Sequence, residues 1–272
     1  MNNTLKFLIV ILLCGFSISS FSQEITQENF EKERNEIWND SEKEMQKIVE
    51  IFNENPEEKD ILIIEAKKIE KQTYQKWLQA SVKYLSLPNT LNFIYNIRNE
   101  VPKDSLQCIL NSLSNEQRIS EYAVLIQKHI DTEQIKEGDD FFDFEATNLN
   151  GEKFVLSSLK SKNIMFFYGG LGCMGENGRN YLKTLYDSTS RENFEVVIYC
   201  TVESLEEMKE EAEMFSADYI LVSDFLLDHS PIKIKYGTQA TPTCFFINEP
   251  RIVELISIGL SADYLNKQQE SK

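Results

Sequence analysis

The sequence predicts an α/β fold in the second half of the chain and an all-helical arrangement in the first half. From residue 25 to residue 135, apolar residues recur at three- and four-residue steps, which indicates amphipathic helices. Beyond residue 140, short apolar runs alternate with polar, helix-compatible segments, as in a sheet of mostly parallel strands covered by helices. A polar linker around Gly138 separates the halves. We therefore predict a helical domain over 23–136 and an α/β domain over 137–272.

Cap and turn signals divide the first half into five predicted helices. Asn55 and Pro56 suit the start of the second helix, and Ser114 and Gln117 fit a capping box that opens the last one. The helices are a first through Phe30 and Phe52, a second through Ile61 and Leu85, then 90–97, 104–113, and a last through Tyr122 and Ile130. We expect Trp38, Trp77 and Cys108 to pack inside this domain.

Residues 1–22 predict a secretion signal. Lys6 supplies a basic start, an apolar stretch follows over 7–16, and small residues precede Gln23, the expected new terminus. A lipoprotein would use Cys14 instead, but the bulky Leu13 before it disfavours this alternative. We thus expect export to the periplasm or cell envelope, where disulfides persist. The net charge of −16 argues against nucleic acid and anionic membranes as partners.

The stretch from Ile164 to Gly178 carries the chemistry. A buried strand over 164–168 ends in glycines and a single cysteine, Cys173, just before a helix predicted over 177–186. A thiol at a helix N-terminus faces unpaired N–H groups and the positive end of the helix dipole, which favour its thiolate. Sulfur redox chemistry is therefore the hypothesis, and the alternative is a buried cysteine in a domain without catalysis.

The remaining α/β elements follow in a regular order. Strands are predicted at 196–200, 219–222, 244–248 and 252–258, with helices at 204–215 and from Ser261. Cys173 and Cys200 both fall at the C-terminal ends of strands, where the functional crevice of such sheets lies. Cys200 and Cys244 also lie in apolar runs, where a cysteine commonly serves as a small hydrophobe.

Several segments of this half resemble the thioredoxin-like superfamily, in particular exported proteins of the TlpA and ResA type and the related AhpC/TSA domains. The resemblance lies in FDFEATNLNGE over 142–152, in the strand and cysteine loop over 164–178, and in ATPTCFFIN over 240–248. It covers roughly residues 137–268 and implies a thioredoxin-like fold, a central mixed sheet flanked by helices. It also implies a substrate groove formed by Tyr168, Thr241 and Pro242, with Pro242 in cis beside the active cysteine.

The central motif departs from that family. The family has two cysteines two residues apart, whereas this chain has Cys173 followed by Glu176 at the second position. Glu176 therefore replaces the resolving cysteine, and a carboxylate does not exchange with a disulfide. Cys200 is the candidate for an alternative resolving thiol, because the strand that it ends should neighbour the strand leading into the Cys173 loop.

Three functions remain open at this point. The first is a thiol-disulfide oxidoreductase that acts through Cys173 on protein thiols or disulfides. The second is a binding module that holds an extended peptide near Pro242 without redox turnover, and the third is a weak peroxidase that forms a sulfenate on Cys173. His129 and His229 are isolated, and we find neither metal-ligand spacing nor a phosphate-cradling glycine loop, so no metal or cofactor is predicted. The oligomeric state stays open.

Overall fold

The computed structural model describes residues 24–215, 218–239 and 242–261. The predicted signal peptide and the predicted terminal helix from Ser261 lie outside these ranges, apart from Ser261 itself. The chain forms two compact units, one ending at Pro88 and the other beginning at Asn89. This division does not coincide with the domain boundary predicted at residue 136, because the helices after Asn89 group with the sheet.

The first unit is a helical hairpin. Its helices are α1, Gln27–Glu54, and α2, Lys59–Lys83, joined through a short 3-10 turn, Pro56–Glu58. Thr26 caps α1 by accepting a hydrogen bond from the Asn29 N–H at 3.2 Å. Within the part of the chain that the structure describes, neither these helices nor any later one is long and apolar enough to span a bilayer.

The prediction that Trp38 lies in a core is wrong. Its side chain is 53% exposed, and its indole ring stacks face to face on that of Trp77, with 5.9 Å between the ring centroids. A helical pattern identifies the side of a helix that carries apolar residues, but it does not show whether another element covers that side.

The second unit opens with four helices: α3, Thr90–Asn96; α4, Lys103–Ser112; α5, Asn115–Arg118; and α6, Glu121–Asp131. The predicted capping box is confirmed, with the Ser114 and Gln117 side chains each accepting the other residue's backbone N–H. The helix that it opens ends at Arg118, and α6 starts anew after Ser120. The expectation that Cys108 packs inside is wrong, since its side chain is exposed on α4.

A seven-stranded mixed sheet forms the centre of the second unit, in the order β2-β1-β5-β4-β3-β6-β7. Its strands are β1, Glu145–Asn148; β2, Lys153–Val155; β3, Asn163–Tyr168; β4, Phe194–Tyr199; β5, Ile220–Ser223; β6, Thr243–Ile247; and β7, Val253–Ile258. The covering helices are α7, Glu176–Ser188; α8, Leu205–Phe215; and α9, Pro231–Lys235. The predicted α/β fold class is confirmed, with an antiparallel pair at each edge of the sheet.

The core lies on both faces of this sheet. β3 is parallel to β4 and antiparallel to β6, so the predicted pairing of the strand before the cysteine loop with the strand that precedes Cys200 is confirmed. On one face, aromatic rings surround Phe166, with centroids 4.8 Å from Tyr236 and 5.1 Å from Phe144. On the other face, α7 and α8 bury Leu182, Leu185 and Met208 against the strands.

A buried arginine, Arg98, connects the helices of the second unit to the segment that precedes β6. Arg98 is fully buried and donates to the carbonyls of Tyr95 at 2.9 Å and Thr238 at 2.7 Å. The next residue, Asn99, donates its backbone N–H to the Gln239 side chain at 2.9 Å. Residues 238 and 239 are thereby held in place just before the segment that leads into β6.

We predict that Phe166→Ala lowers the free energy of unfolding by about 3 to 5 kcal/mol, because it leaves a cavity among buried rings. Urea denaturation followed by circular dichroism measures the change. As a control, Ile119→Ala removes a side chain that is 79% exposed and should shift the free energy of unfolding by less than about 0.5 kcal/mol. A loss at Phe166 no larger than at Ile119 would contradict the assigned core.

Candidate active site

The loop that follows β3 is shaped by two glycines. Gly169 and Gly170 have φ of 122° and 72°, values at which a side chain would be strained. Both donate their backbone N–H groups to the carbonyl of Tyr199, at 3.0 and 3.2 Å. The chain therefore turns sharply at the end of the central strand while it stays bonded to β4.

Cys173 lies exposed on this loop between two anchored neighbours. The side chains of Leu171 and Met174 are buried in the core under α7, while that of Cys173 is exposed to solvent. Gly175 caps α7, and Glu176 is its first residue. The strand, loop, cysteine and helix predicted from the sequence occur in this order, so a buried, inaccessible Cys173 is excluded.

Glu211 on α8, which the sequence did not single out, holds the loop through hydrogen bonds to its main chain. Its carboxylate accepts the backbone N–H of Leu171 at 2.6 Å and that of Gly172 at 3.4 Å. A Cβ atom added at Gly170 would collide with the same carboxylate, because the backbone there lies close to Glu211. No signal in the sequence distinguishes Glu211, because α8 carries five glutamates at similar spacing.

Cys200 lies directly after β4 and is buried. Its backbone N–H donates to the Val222 carbonyl at 2.8 Å, which continues the pairing with β5. Burial raises the pKa of the Cys200 thiol, and the Glu211 carboxylate beside it raises that pKa further. Glu211 thus faces both Cys200 and the loop that carries Cys173. The resolving role of Cys200 stays a prediction, and in this conformation its thiol is protonated.

Cys244 is a core residue of β6. It pairs with Phe167 across the sheet, and burial raises the pKa of its thiol to about 12. The interpretation of Cys200 and Cys244 as buried positions agrees with the structure.

Of the predicted groove residues Thr241 and Pro242, the structure describes only Pro242. Thr241 lies outside the described residues, and with it the geometry of the bond to Pro242. Pro242 is half-buried, accepts the Gly259 N–H at 2.8 Å, and precedes Thr243, which pairs with Tyr168. Pro242 is therefore next to the start of the cysteine loop, on the opposite side from Cys200.

Tyr168 is the last residue of β3, and its side chain is buried. Its ring stacks on that of Tyr199 with 4.9 Å between the centroids, and burial raises the pKa of its hydroxyl. The side chain belongs to the same core cluster as Phe166 and Tyr236, whereas the loop residues Leu171 and Met174 belong to the other core cluster. The groove role of Tyr168 stays a prediction.

A groove of about 330 Å³ opens beside the loop, between α7 and the end of α8. Glu176 lines it together with Arg179 and Phe215. The Arg179 guanidinium donates to the Met174 carbonyl and lies 4.8 Å from the centroid of the Phe215 ring. Among the described residues, no three or more His, Cys, Asp or Glu side chains are grouped to hold a metal ion.

The strand order and the position of the cysteine loop define the fold: the C-terminal half of this chain has a thioredoxin-like fold. No family model matches the chain. The thioredoxin-like protein YneN of Bacillus subtilis (strain 168) is 24% identical over 147 residues, which are 51% of this chain and 79% of that protein.

Two of the solved structures with a similar fold are described as thiol-disulfide oxidoreductases. One from Bacteroides fragilis NCTC 9343 is 15% identical, covers 49% of this chain and 98% of its own, and has a TM-score of 0.44. The thioredoxin domain of another, from Bacteroides vulgatus, is 15% identical, covers 51% of this chain and 99% of its own, and has a TM-score of 0.45.

We predict that Glu211→Ala speeds amide hydrogen exchange at Leu171 and Gly172 by roughly 10- to 100-fold, because a bond to a charged acceptor contributes about 1.5 to 3 kcal/mol. Exchange followed by mass spectrometry or NMR measures it. Glu210→Ala removes an exposed acid from the same helix and should leave both amides unchanged. Equal exchange in the two variants would show that Glu211 does not hold the loop.

We further predict that Cys173 is alkylated first in the reduced native protein at pH 8. Cys108 is also exposed but is fixed in the middle of α4, whereas the glycines around Cys173 let the backbone open. Cys244 should stay unlabelled, since a pKa of about 12 leaves only about one thiol in ten thousand ionised at this pH. Mass mapping over time gives the order, and in urea Cys108, Cys173, Cys200 and Cys244 should all react. Early labelling of Cys200 or Cys244 would contradict the assignment.

Proposed function

We propose that this chain is an exported thiol-disulfide exchange protein that works with one loop cysteine, Cys173, in place of the usual pair. The observation that carries the proposal is the exposed Cys173 on the loop beside Pro242, while Cys200 and Cys244 are buried. The similarity of the chain to a thioredoxin-like protein supports the same chemistry. Protein thiols and disulfides are the substrates that we propose, and no cofactor is needed.

The exchange has two balanced steps. The Cys173 thiolate attacks one sulfur of a substrate disulfide, forms a mixed disulfide with it, and releases the other sulfur as a thiolate. An external thiolate then attacks the substrate sulfur of the mixed disulfide, which frees Cys173 and leaves a new disulfide between the substrate and the external thiol. Glu176 takes no part as a nucleophile. Cys200 would act in the second step only after Glu211 and the loop move away from it.

Export is part of the proposal and rests on residues 1–22. Their basic start, apolar stretch and small residues are the features of a secretion signal. An oxidising compartment would also supply the disulfides that Cys173 attacks.

We predict that Cys173→Ser abolishes mixed-disulfide formation and that Glu176→Cys raises disulfide reductase activity at least about tenfold. The new thiol would lie in the first turn of α7, where it can clear the mixed disulfide within the protein. Turnover of a dye-labelled peptide disulfide with a monothiol reductant measures activity, and mass spectrometry of the trapped adduct measures mixed-disulfide formation. Cys108→Ser is the matched control and should leave both readings unchanged.

The same assay separates the alternatives. Full activity in Cys173→Ser would show that the loop is not the active site. An extended peptide that binds equally to the natural protein and to Cys173→Ser, without any exchange, would identify a binding module. Consumption of hydrogen peroxide with a sulfenate on Cys173 would identify a peroxidase instead.

A further inference from the structure

The groove between α7 and the end of α8 meets the cysteine loop. Leu171 and Glu176, which lie on either side of Cys173 in the chain, both line it. From the α8 side, the Phe215 ring reaches the same loop, since a Cβ atom added at Gly172 would be in van der Waals contact with that ring. The exposed Cys173 thus lies at the end where the groove and the loop join, and a group bound there is next to the sulfur.

The groove is small. Its volume of about 330 Å³ is near the lower limit for sites that hold small molecules, which is roughly 300 Å³. It follows α7 from Glu176 to Asp187, and Met214 and Phe215 of α8 form the opposite side. An amino acid or a very short peptide fits such a space, whereas an extended protein segment would project out of it.

The charged groups at the far end of the groove pair with one another. The Lys183 ammonium lies 3.1 Å from the Asp187 carboxylate and 3.9 Å from that of Asp218. The rings of Tyr186 and Tyr219 meet edge to face at the same end, with 4.8 Å between their centroids. The groups that are left for a charged ligand are therefore at the end next to the loop.

Two opposite charges remain at the loop end, and they do not pair with each other. Glu176 is exposed, and within the described ranges its carboxylate accepts no hydrogen bond and forms no ion pair. Arg179 is held elsewhere, because its Nη1 donates to the Met174 carbonyl and its guanidinium lies 4.8 Å from the centroid of the Phe215 ring. Its Nε and Nη2 have no hydrogen-bond partner among the residues that the structure describes. The groove thus offers one acceptor and one donor of opposite charge.

We propose that this groove binds the zwitterionic half of a disulfide that contains a small amino-acid thiol such as cysteine. The proposal rests on the exchange function proposed for Cys173 and names its substrate class. The ammonium group of the ligand pairs with Glu176, and its carboxylate accepts hydrogen bonds from Arg179, whose planar guanidinium suits a carboxylate. Residues three apart on a helix are neighbours, with about 5 to 6 Å between their Cβ atoms, so two charges on one carbon atom can reach both side chains.

The exchange then leaves the amino acid in the groove. The Cys173 thiolate attacks the sulfur of the amino-acid half, the original S–S bond breaks, and the other half leaves as a thiolate. An external thiolate later attacks the amino-acid sulfur, which restores the Cys173 thiolate and forms a new disulfide. One disulfide replaces another in each step, so no further oxidant or reductant is needed. The groove selects which of the two sulfurs Cys173 attacks.

Four symmetric disulfides that differ in charge test the proposal on residues 23–272 in the reduced state. Cystine carries both charges, cystamine only the positive one, dithiodipropionate only the negative one, and hydroxyethyl disulfide neither. Mass mapping gives the rate of adduct formation on Cys173 relative to that on Cys108, which is exposed on α4 and corrects for the reactivity of each disulfide. We expect this ratio to be at least about fivefold higher for cystine than for hydroxyethyl disulfide, with the other two in between, since an exposed ion pair changes a rate by about two- to fivefold.

Variants assign the two charges. Glu176→Gln should lower the ratio for cystine and cystamine by about two- to fivefold and should not lower that for dithiodipropionate. Arg179→Gln should lower it for cystine and dithiodipropionate and not for cystamine, and Arg179→Lys, which keeps the charge, should restore part of the preference. Glu116→Gln removes an exposed acid on α5 that does not line the groove, and should change none of the ratios.

The possible outcomes separate this inference from the proposed function. Equal ratios for all four disulfides would overturn the inference and leave the exchange function of Cys173 in place. A preference for cystine that survives both Glu176→Gln and Arg179→Gln would overturn the inference as well, and so would a higher ratio for cystamine than for cystine. Absence of any Cys173 adduct with all four disulfides would overturn both.

Discussion

The position of the cysteine loop depends on the pairing of β3 with strands on both sides. The register with β4 and β6 fixes Tyr168 opposite Tyr199 and Thr243. A one-residue shift would turn every buried side chain of β3 to the other face of the sheet, so this register is strongly held. Because the loop begins at the next residue, Cys200 and Pro242 flank its start as a direct consequence of strand pairing.

Four main-chain N–H groups hold the loop through hydrogen bonds to two acceptors, one in the sheet and one on α8. From the sheet, the Tyr199 carbonyl accepts the N–H groups of Gly169 and Gly170. From α8, the Glu211 carboxylate accepts those of Leu171 and Gly172. Burial raises the pKa of the Cys200 thiol, and the same carboxylate raises that pKa further. Glu211 therefore orders the loop and adds to the burial that keeps the Cys200 thiol protonated.

Much of the fold could be predicted because it depends on local patterns. The apolar runs of β3, β4 and β6, the turn glycines and the capping box at Ser114 each identify their element from a few residues. The exposure of Trp38 and Cys108 could not be predicted in this way, because periodicity shows which side of a helix is apolar and not what covers it. The grouping of the helices after Asn89 with the sheet depends on long-range contacts such as that between Arg98 and Thr238.

The candidate site was predictable in part for the same reason. Cys173, Glu176 and Cys200 follow from the chain order of strands and helices, which the sequence carries. Glu211 could not be predicted in this way, because its role depends on the approach of α8 to the loop. Leu171, whose N–H it accepts, lies 40 residues earlier in the chain. The role of Glu211 is evident only from the hydrogen bonds that its carboxylate accepts from the N–H groups of Leu171 and Gly172.

In the function that we propose, Glu176 at the position of a second cysteine matters more for the chemistry than for the structure. A carboxylate in the first turn of α7 is stabilised by the helix dipole by about 0.3 to 1 kcal/mol, so the helix start tolerates it without other changes. The proposed reaction, in contrast, has no internal second step, since a carboxylate cannot attack a disulfide. Under this proposal, the concentration and pKa of an external thiol would set the lifetime of a mixed disulfide on Cys173. The domain would then hold its substrate until a separate thiol arrives, and the supply of that thiol would control the exchange.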